Sequence, residues 1–184
     1  MRSIENYAKR YLSQEVKEIK SKSRAEICNL TIYEKAIIYN YSDFGYEKVN
    51  EILRTSEGKI RSDYTELLHE CLDKLPDFEG LVYRCVDLTN QELEIYADCN
   101  KENKPVVEHS FISSSKSVLT ANAFGKTTRF AIYAKTGKEI EKFAKFGIDN
   151  SSNEKEVLFK SGITFNVLEV TKEGSYTLIT LEEA

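Results

Sequence analysis

At Leu81 the chain changes texture, and that change limits the folds open to it. From there on, LVYRCVD, SFISSS, RFAIYAK, EVLF, ITFNVLEV and SYTLITLEE are short segments rich in β-branched and aromatic residues, the kind that fit a pleated, half-buried surface. Before Leu81 the pattern is helical. Between Thr31 and Tyr41, Ile32, Ala36 and Tyr39 recur at three- and four-residue spacing, and Thr31 with Glu34 has the form of a capping box. Further helices are expected from Tyr46 to Arg54 and from Ser62 to Leu75, the latter stopped by Pro76, and the charged segment before Leu30 reads as one more amphipathic helix. Helices first and strands afterwards predict an α+β fold rather than alternating βαβ units. The last two strands should form an antiparallel hairpin across Lys172-Glu173-Gly174.

The 184 residues fit one domain with a proper core, and no linker, repeat or low-complexity tract divides them. A net charge of -4 provides no basic footprint for nonspecific nucleic-acid binding. Cys28, Cys71, Cys85 and Cys99 show no C-x-x-C spacing, and only His69 and His109 could join them, so no metal site is expected. Charges run through the first 24 residues without an apolar stretch, and no run approaches the length of a membrane span. A cytoplasmic protein with reduced thiols and no membrane contact is the resulting expectation.

No phosphate-binding Gly-rich loop is present, and two histidines do not assemble a Ser-His-Asp constellation. Three strand-associated signals remain. Arg84 lies inside the apolar run Leu81-Val82-Tyr83-Arg84, where alternation puts Tyr83 and Cys85 on one face and the arginine on the other. Such a charge is either paired, used on an anion such as a pyrophosphate, or solvated at a strand edge. Ser113 opens three hydroxyls in Phe111-Ile112-Ser113-Ser114-Ser115, and Glu154 and Glu156 stand two apart at the entry to an apolar strand, on one side if the segment is extended.

In this order and spacing, YR, FISSS and EKEVLF resemble the Arg, Ser-Thr-Ser and Glu-x-Glu motifs of the bacterial exotoxin ADP-ribosyltransferases, the family of the clostridial binary-toxin enzymatic subunits. The likeness extends upstream to YEKVNEILR, which resembles the family's helix along one side of the NAD+ pocket, and downstream to KSGITFNVLEV, covering about Leu30 to the C-terminus. Ser114 replaces the usual threonine, Cys85 stands where a glycine or second arginine is common, and Thr127 stands where the family often has an arginine.

The resemblance implies N-terminal helices followed by a mainly antiparallel β-sandwich, as one domain divided into a helical extension (1–29), a helical part (30–80) and an NAD-binding sheet core (81–184). It implies NAD+ as substrate, bound by Tyr46, Arg54, Tyr83, Arg84, Ser113, Phe124 and Arg129, with Phe124 against nicotinamide and Lys126 or Arg129 replacing the absent arginine. Arg84, Ser113, Glu154 and Glu156 would be the catalytic set. Glu156 would face the ribosyl cation, Ser113 would orient it, and Glu154 would meet the acceptor. The acceptor would be a protein arginine side chain, reached past a polar recognition loop at 146–153. An RNA or DNA base is the runner-up, and a silent binding module of the same fold the reading from another class. A toxin or host-modifying effector, with an antitoxin or immunity protein to neutralise it, is the implied setting.

Overall fold

The computed structural model describes residues 3–21, 29–125 and 127–184, so Cys28, Lys126 and the end of the charged segment before Leu30 lie outside the described residues. Its helical half comprises α1 (Ile4–Tyr11), α2 (Ser13–Ser21), α3 (Ile32–Asn40), a π-helical turn (Tyr41–Gly45), α4 (Tyr46–Thr55) and α5 (Asp63–Leu72). There follow β1 (Asp77–Val86), α6 (Asn90–Glu102), β2 (Pro105–Glu108), β3 (Ile112–Ser115), α7 (Val118–Ala121), β4 (Thr128–Glu139), β5 (Glu156–Phe159), β6 (Ile163–Glu173) and β7 (Tyr176–Glu183). This is the α+β order expected.

The helix starts follow local chemistry. Thr31 Oγ1 accepts from the Glu34 N–H at 3.3 Å while Glu34 Oε2 accepts from the Thr31 N–H at 2.6 Å, closing the anticipated capping box of α3. Ser62 caps α5, whose regular bonding stops at Leu72, short of the expected Leu75; tighter turns follow because Pro76 disfavours helical backbone at the residue before it. Helix α6 interrupts the strand half without having been expected there. Thr89 and Glu92 form a second capping box at its start.

From Ile32 to Thr55 the backbone is helical without a break. Its π turn lets the Tyr46 N–H reach the Tyr41 carbonyl, five residues back. Gly45 permits this packing, since a Cβ there would lie 2.5 Å from Asn40 Oδ1 and 2.7 Å from the Tyr64 hydroxyl.

The strands are ordered β1-β3-β5-β4-β7-β6-β2, with β1 also paired to β4. All pairs are antiparallel except β4 with β7. The circuit β1-β3-β5-β4 folds the sheet over on itself, and Val82, Phe130, Val157, Phe159, Phe165 and Ile179 fill the interior. On β5, Val157 and Phe159 enter that core while Leu158 joins a second one with Ile37, Leu53, Leu68 and Phe111. Strand alternation thus makes β5 the partition between the two cores. The N-terminal helices belong to the second core through Ala8, Leu12 and Val16. The β6–β7 hairpin turns at Gly174, whose φ of 56° falls in the left-handed region. No helix among the described residues is long and apolar enough to cross a membrane.

Candidate active site

A cavity of about 940 Å³ opens between the helix that carries the π turn and the edge made by β1, β3 and β5. Glu156 opens β5 and is 4% exposed. Burial, with the Glu154 charge adding to it, raises its carboxyl to about 7, against the opposing pull of the Ser113 hydroxyl bonded to it and the nearby Arg84 cation. Ser113 is therefore the group that steadies this carboxylate.

Arg84, on β1, donates from Nη1 to the Ser113 carbonyl at 2.7 Å, which braces β3 from behind. Its desolvation lowers its pKa, yet an arginine remains a cation. Tyr83, Arg84 and Cys85 all border the cavity, which runs past the end of β1, so alternation does not single out the arginine as expected. Cys85 is buried, with its thiol directed at Asn122 Oδ1 (3.4 Å).

Glu154 also lines the cavity, but not because its segment is extended. Lys155 between the two glutamates has a φ of 50°, and this left-handed residue turns both carboxylates to the same space. Burial raises Glu154 as well. Its backbone is held on both sides, the N–H by the Phe146 carbonyl at 2.8 Å and the carbonyl by the Ser115 hydroxyl at 2.7 Å. Ser114 donates to the Val157 carbonyl at 2.7 Å. The three serines thus divide their work: one holds a carboxylate, and two fasten the strand entry that carries it.

The opposite wall is α4, where Tyr46, Asn50 and Arg54 fall at i, i+4 and i+8 on one face. Asn50 was not anticipated. Its amide accepts from the Phe111 N–H at 3.1 Å and donates to the Tyr41 hydroxyl at 3.1 Å, linking this wall to the start of β3. Its spacing from Tyr46 and Arg54 was the available signal. Tyr41 is buried against Phe111, with ring centroids 5.4 Å apart, and burial pushes its phenol well above the ordinary value.

Phe124 is exposed at the rim, beside Gly125, whose missing side chain is required because a Cβ would lie 2.4 Å from the Val86 backbone. Arg129 is not brought into the cavity lining. It sits opposite Cys85 on β4, with its guanidinium stacked 3.8 Å from the centroid of Tyr176. The polar segment 146–153 contains no regular element but is tied by bonds such as Ile148 N–H to Glu141 O (3.1 Å) and Asn153 Nδ2 to Glu141 Oε1 (2.7 Å). Among the described residues no cluster of three or more metal-ligating side chains occurs.

The chain is similar to several known proteins. It is 30% identical over 141 residues to the Mav protein of Mycobacterium avium (strain 104), named as an NAD(+)--arginine ADP-ribosyltransferase, a match covering 74% of this chain and 16% of that protein. It is 26% identical over 168 residues to the similarly named Vis protein of Vibrio splendidus (strain 12B01), covering 83% of this chain and 65% of Vis. The chain thus spans about a sixth of the first relative and just under two thirds of the second. Its fold matches the crystal structure of Vis in complex with agmatine with a TM-score of 0.69 at 23% identity, over 100% of this chain and 87% of that one. It also matches exoenzyme S of Pseudomonas aeruginosa, solved with human 14-3-3 protein beta and carba-NAD, with a TM-score of 0.77 at 18% identity, over 98% of this chain and 86% of that one. The family model for the ADP-ribosyltransferase exoenzymes matches residues 8–183, which takes in both walls of the cavity and both glutamates, and the chain belongs to that family.

Proposed function

We propose that the chain, acting as one domain, transfers ADP-ribose from NAD+ to the guanidinium of a protein arginine. The observation that carries this reading is the pairing of a buried, serine-bonded Glu156 with a second carboxylate, Glu154, in one cavity with Arg84. In the reaction, the bond between the nicotinamide nitrogen and ribose C1′ breaks, and positive charge grows on the ribose. Ionised Glu156 stabilises that charge, as glycosidase carboxylates do. Ser113 fixes the carboxylate, and the Arg84 donors not engaged with the Ser113 carbonyl meet a phosphate. Tyr46, Asn50 and Arg54 supply one wall for the dinucleotide, and Phe124 the aromatic rim. Arg129 lies outside the cavity lining, stacked on Tyr176, and is given no role here. Glu154 aligns the incoming nitrogen and takes its proton as the new bond to C1′ forms.

The names of Mav and Vis and the agmatine complex of Vis support a guanidinium acceptor. NAD+ and macromolecular acceptor meet in a cytoplasm, that of the producing cell or of a cell receiving the protein as a toxin or effector. A producing cell would then need a neutralising partner.

The direct test incubates the purified chain with NAD+, with and without agmatine, and measures nicotinamide release and ADP-ribosyl-agmatine together. Both products are expected; no nicotinamide release at all would end the transferase reading. Arg84→Ala is expected to weaken NAD+ binding by on the order of ten- to a hundredfold, the worth of a charge-assisted hydrogen bond. An unchanged NAD+ affinity by calorimetry would remove Arg84 from the phosphate role.

A further inference from the structure

Lys145 lies outside the cavity lining but is joined to both the N-terminal helices and the segment that leads to Glu154. Its ammonium is 3.4 Å from Glu18 Oε2 on α2 and 3.6 Å from Asp43 Oδ2 on the π turn, and it sits 5.2 Å from the centroid of the Tyr39 ring. The Tyr39 hydroxyl donates to the same Glu18 oxygen. The Lys145 backbone N–H donates to Ser42 Oγ at 2.7 Å, and Ser42 Oγ in turn donates to the Tyr39 carbonyl at 2.9 Å. Both ends of this one residue are therefore fastened. The ion pairs are about one-third exposed, so their strength as surface pairs is modest, of order 1 kcal/mol or less. Their geometric effect is larger than that, because the next residue, Phe146, lines the cavity and its carbonyl holds the Glu154 N–H.

We propose that Lys145 is a positioning residue through which α2 and the π turn set the place of Glu154, so that the N-terminal helices control acceptor transfer but not the cleavage of NAD+. The inference rests on the transferase reading above and deepens it. Glu156 is fixed independently of Lys145, by Ser113 and by the pairing of β5 with β3, so bond breaking at nicotinamide does not depend on the Lys145 anchor. Glu154 precedes that strand and has the Phe146 carbonyl as one of its two backbone anchors. Loosening Lys145 lets this glutamate move relative to the acceptor nitrogen, and a displacement of an ångström is enough to slow a proton transfer severely.

The test uses the full chain, NAD+ and agmatine as acceptor. Lys145→Met and, as the milder change, Glu18→Gln are compared with Lys145→Arg, which keeps the charge. Lys145→Met is expected to lower agmatine transfer on the order of tenfold while nicotinamide release without agmatine stays within about twofold. Glu18→Gln should shift the ratio of the two activities in the same direction and Lys145→Arg should largely restore it. A merely structural role would lower both activities in proportion, and that outcome, or no change in the ratio, overturns the inference while leaving the transferase reading standing. Absence of nicotinamide release from the unsubstituted chain would instead sink the transferase reading, and this inference with it.

Discussion

Replacing Glu156 by glutamine is expected to cut nicotinamide release about a thousandfold and, at pH 8, to leave the chain more stable than its parent. The two effects share one cause. Burial raises the Glu156 carboxyl from its ordinary 4.5 to about 7, so between those values the folded chain retains a proton that the unfolded chain has released. Stability therefore falls as pH rises through this window, by about 3 kcal/mol in all, and the ionised carboxylate on which the proposed catalysis relies is the energetically costly form. Glutamine keeps the shape without the charge. Its stabilising effect should be full above pH 7 and fade towards pH 4.5, which denaturant unfolding at several pH values will measure. The parent's kcat/KM for NAD+ should rise with pH and level off above about 7, as the free site's carboxyl ionises. A glutamine variant that retains more than a few per cent of activity by order of magnitude would contradict the role of the charge, and equal stability at pH 8 would contradict its cost.

The second large effect is expected at Glu154. Glu154→Gln should lower transfer to agmatine by at least about a hundredfold, the scale of a lost general base, while leaving slow NAD+ hydrolysis in place. On the proposed mechanism, water entering the cavity would still attack a ribosyl cation that Glu156 stabilises, whereas a guanidinium nitrogen would have lost the group that takes its proton. Nicotinamide release and agmatine labelling, run side by side on this variant, separate three cases. A selective loss of labelling supports the acceptor role, little change in either makes Glu154 a solvated residue at a strand entry, and equal loss of both assigns it to NAD+ handling.

The order of the elements was legible because it follows from texture: β-branched and aromatic runs after Leu81, helical spacing before it. The chemical motifs were legible as an ordered set, and among the described residues the cavity brings all but Arg129 of the expected ones to its walls. What escaped was information carried by the backbone. Spacing gives no sign that Lys155 adopts a left-handed conformation, so a shared face for Glu154 and Glu156 was expected from alternation that the chain does not use there. Ser114 and Ser115 look like further hydroxyls of a motif, whereas their role is to hold carbonyls of the partner segment, an interaction 39 to 43 residues away in sequence. Arg129 was expected in the site as a substitute for a missing arginine, but Tyr176, nearly fifty positions downstream, provides the ring on which it stacks. Helix α6 is a different case. Its Thr89–Glu92 capping box is the same signal that located α3, and the apolar strands on either side of it masked the change of period.

The π turn at Tyr41–Gly45 makes the binding wall a matter of register rather than of composition. A bond that spans five residues instead of four accommodates one extra residue in that turn, and each residue of an α-helix advances the facing direction by about 100°. Tyr46, Asn50 and Arg54 look into the cavity because the extra residue sits upstream of all three. Point changes on this helix therefore alter single contacts, whereas removal of one residue between Tyr41 and Gly45 would swing the whole wall away together, leaving every side chain present and none of them aimed. Length in these five residues is thus constrained as well as identity, which Gly45 and buried Tyr41 already restrict.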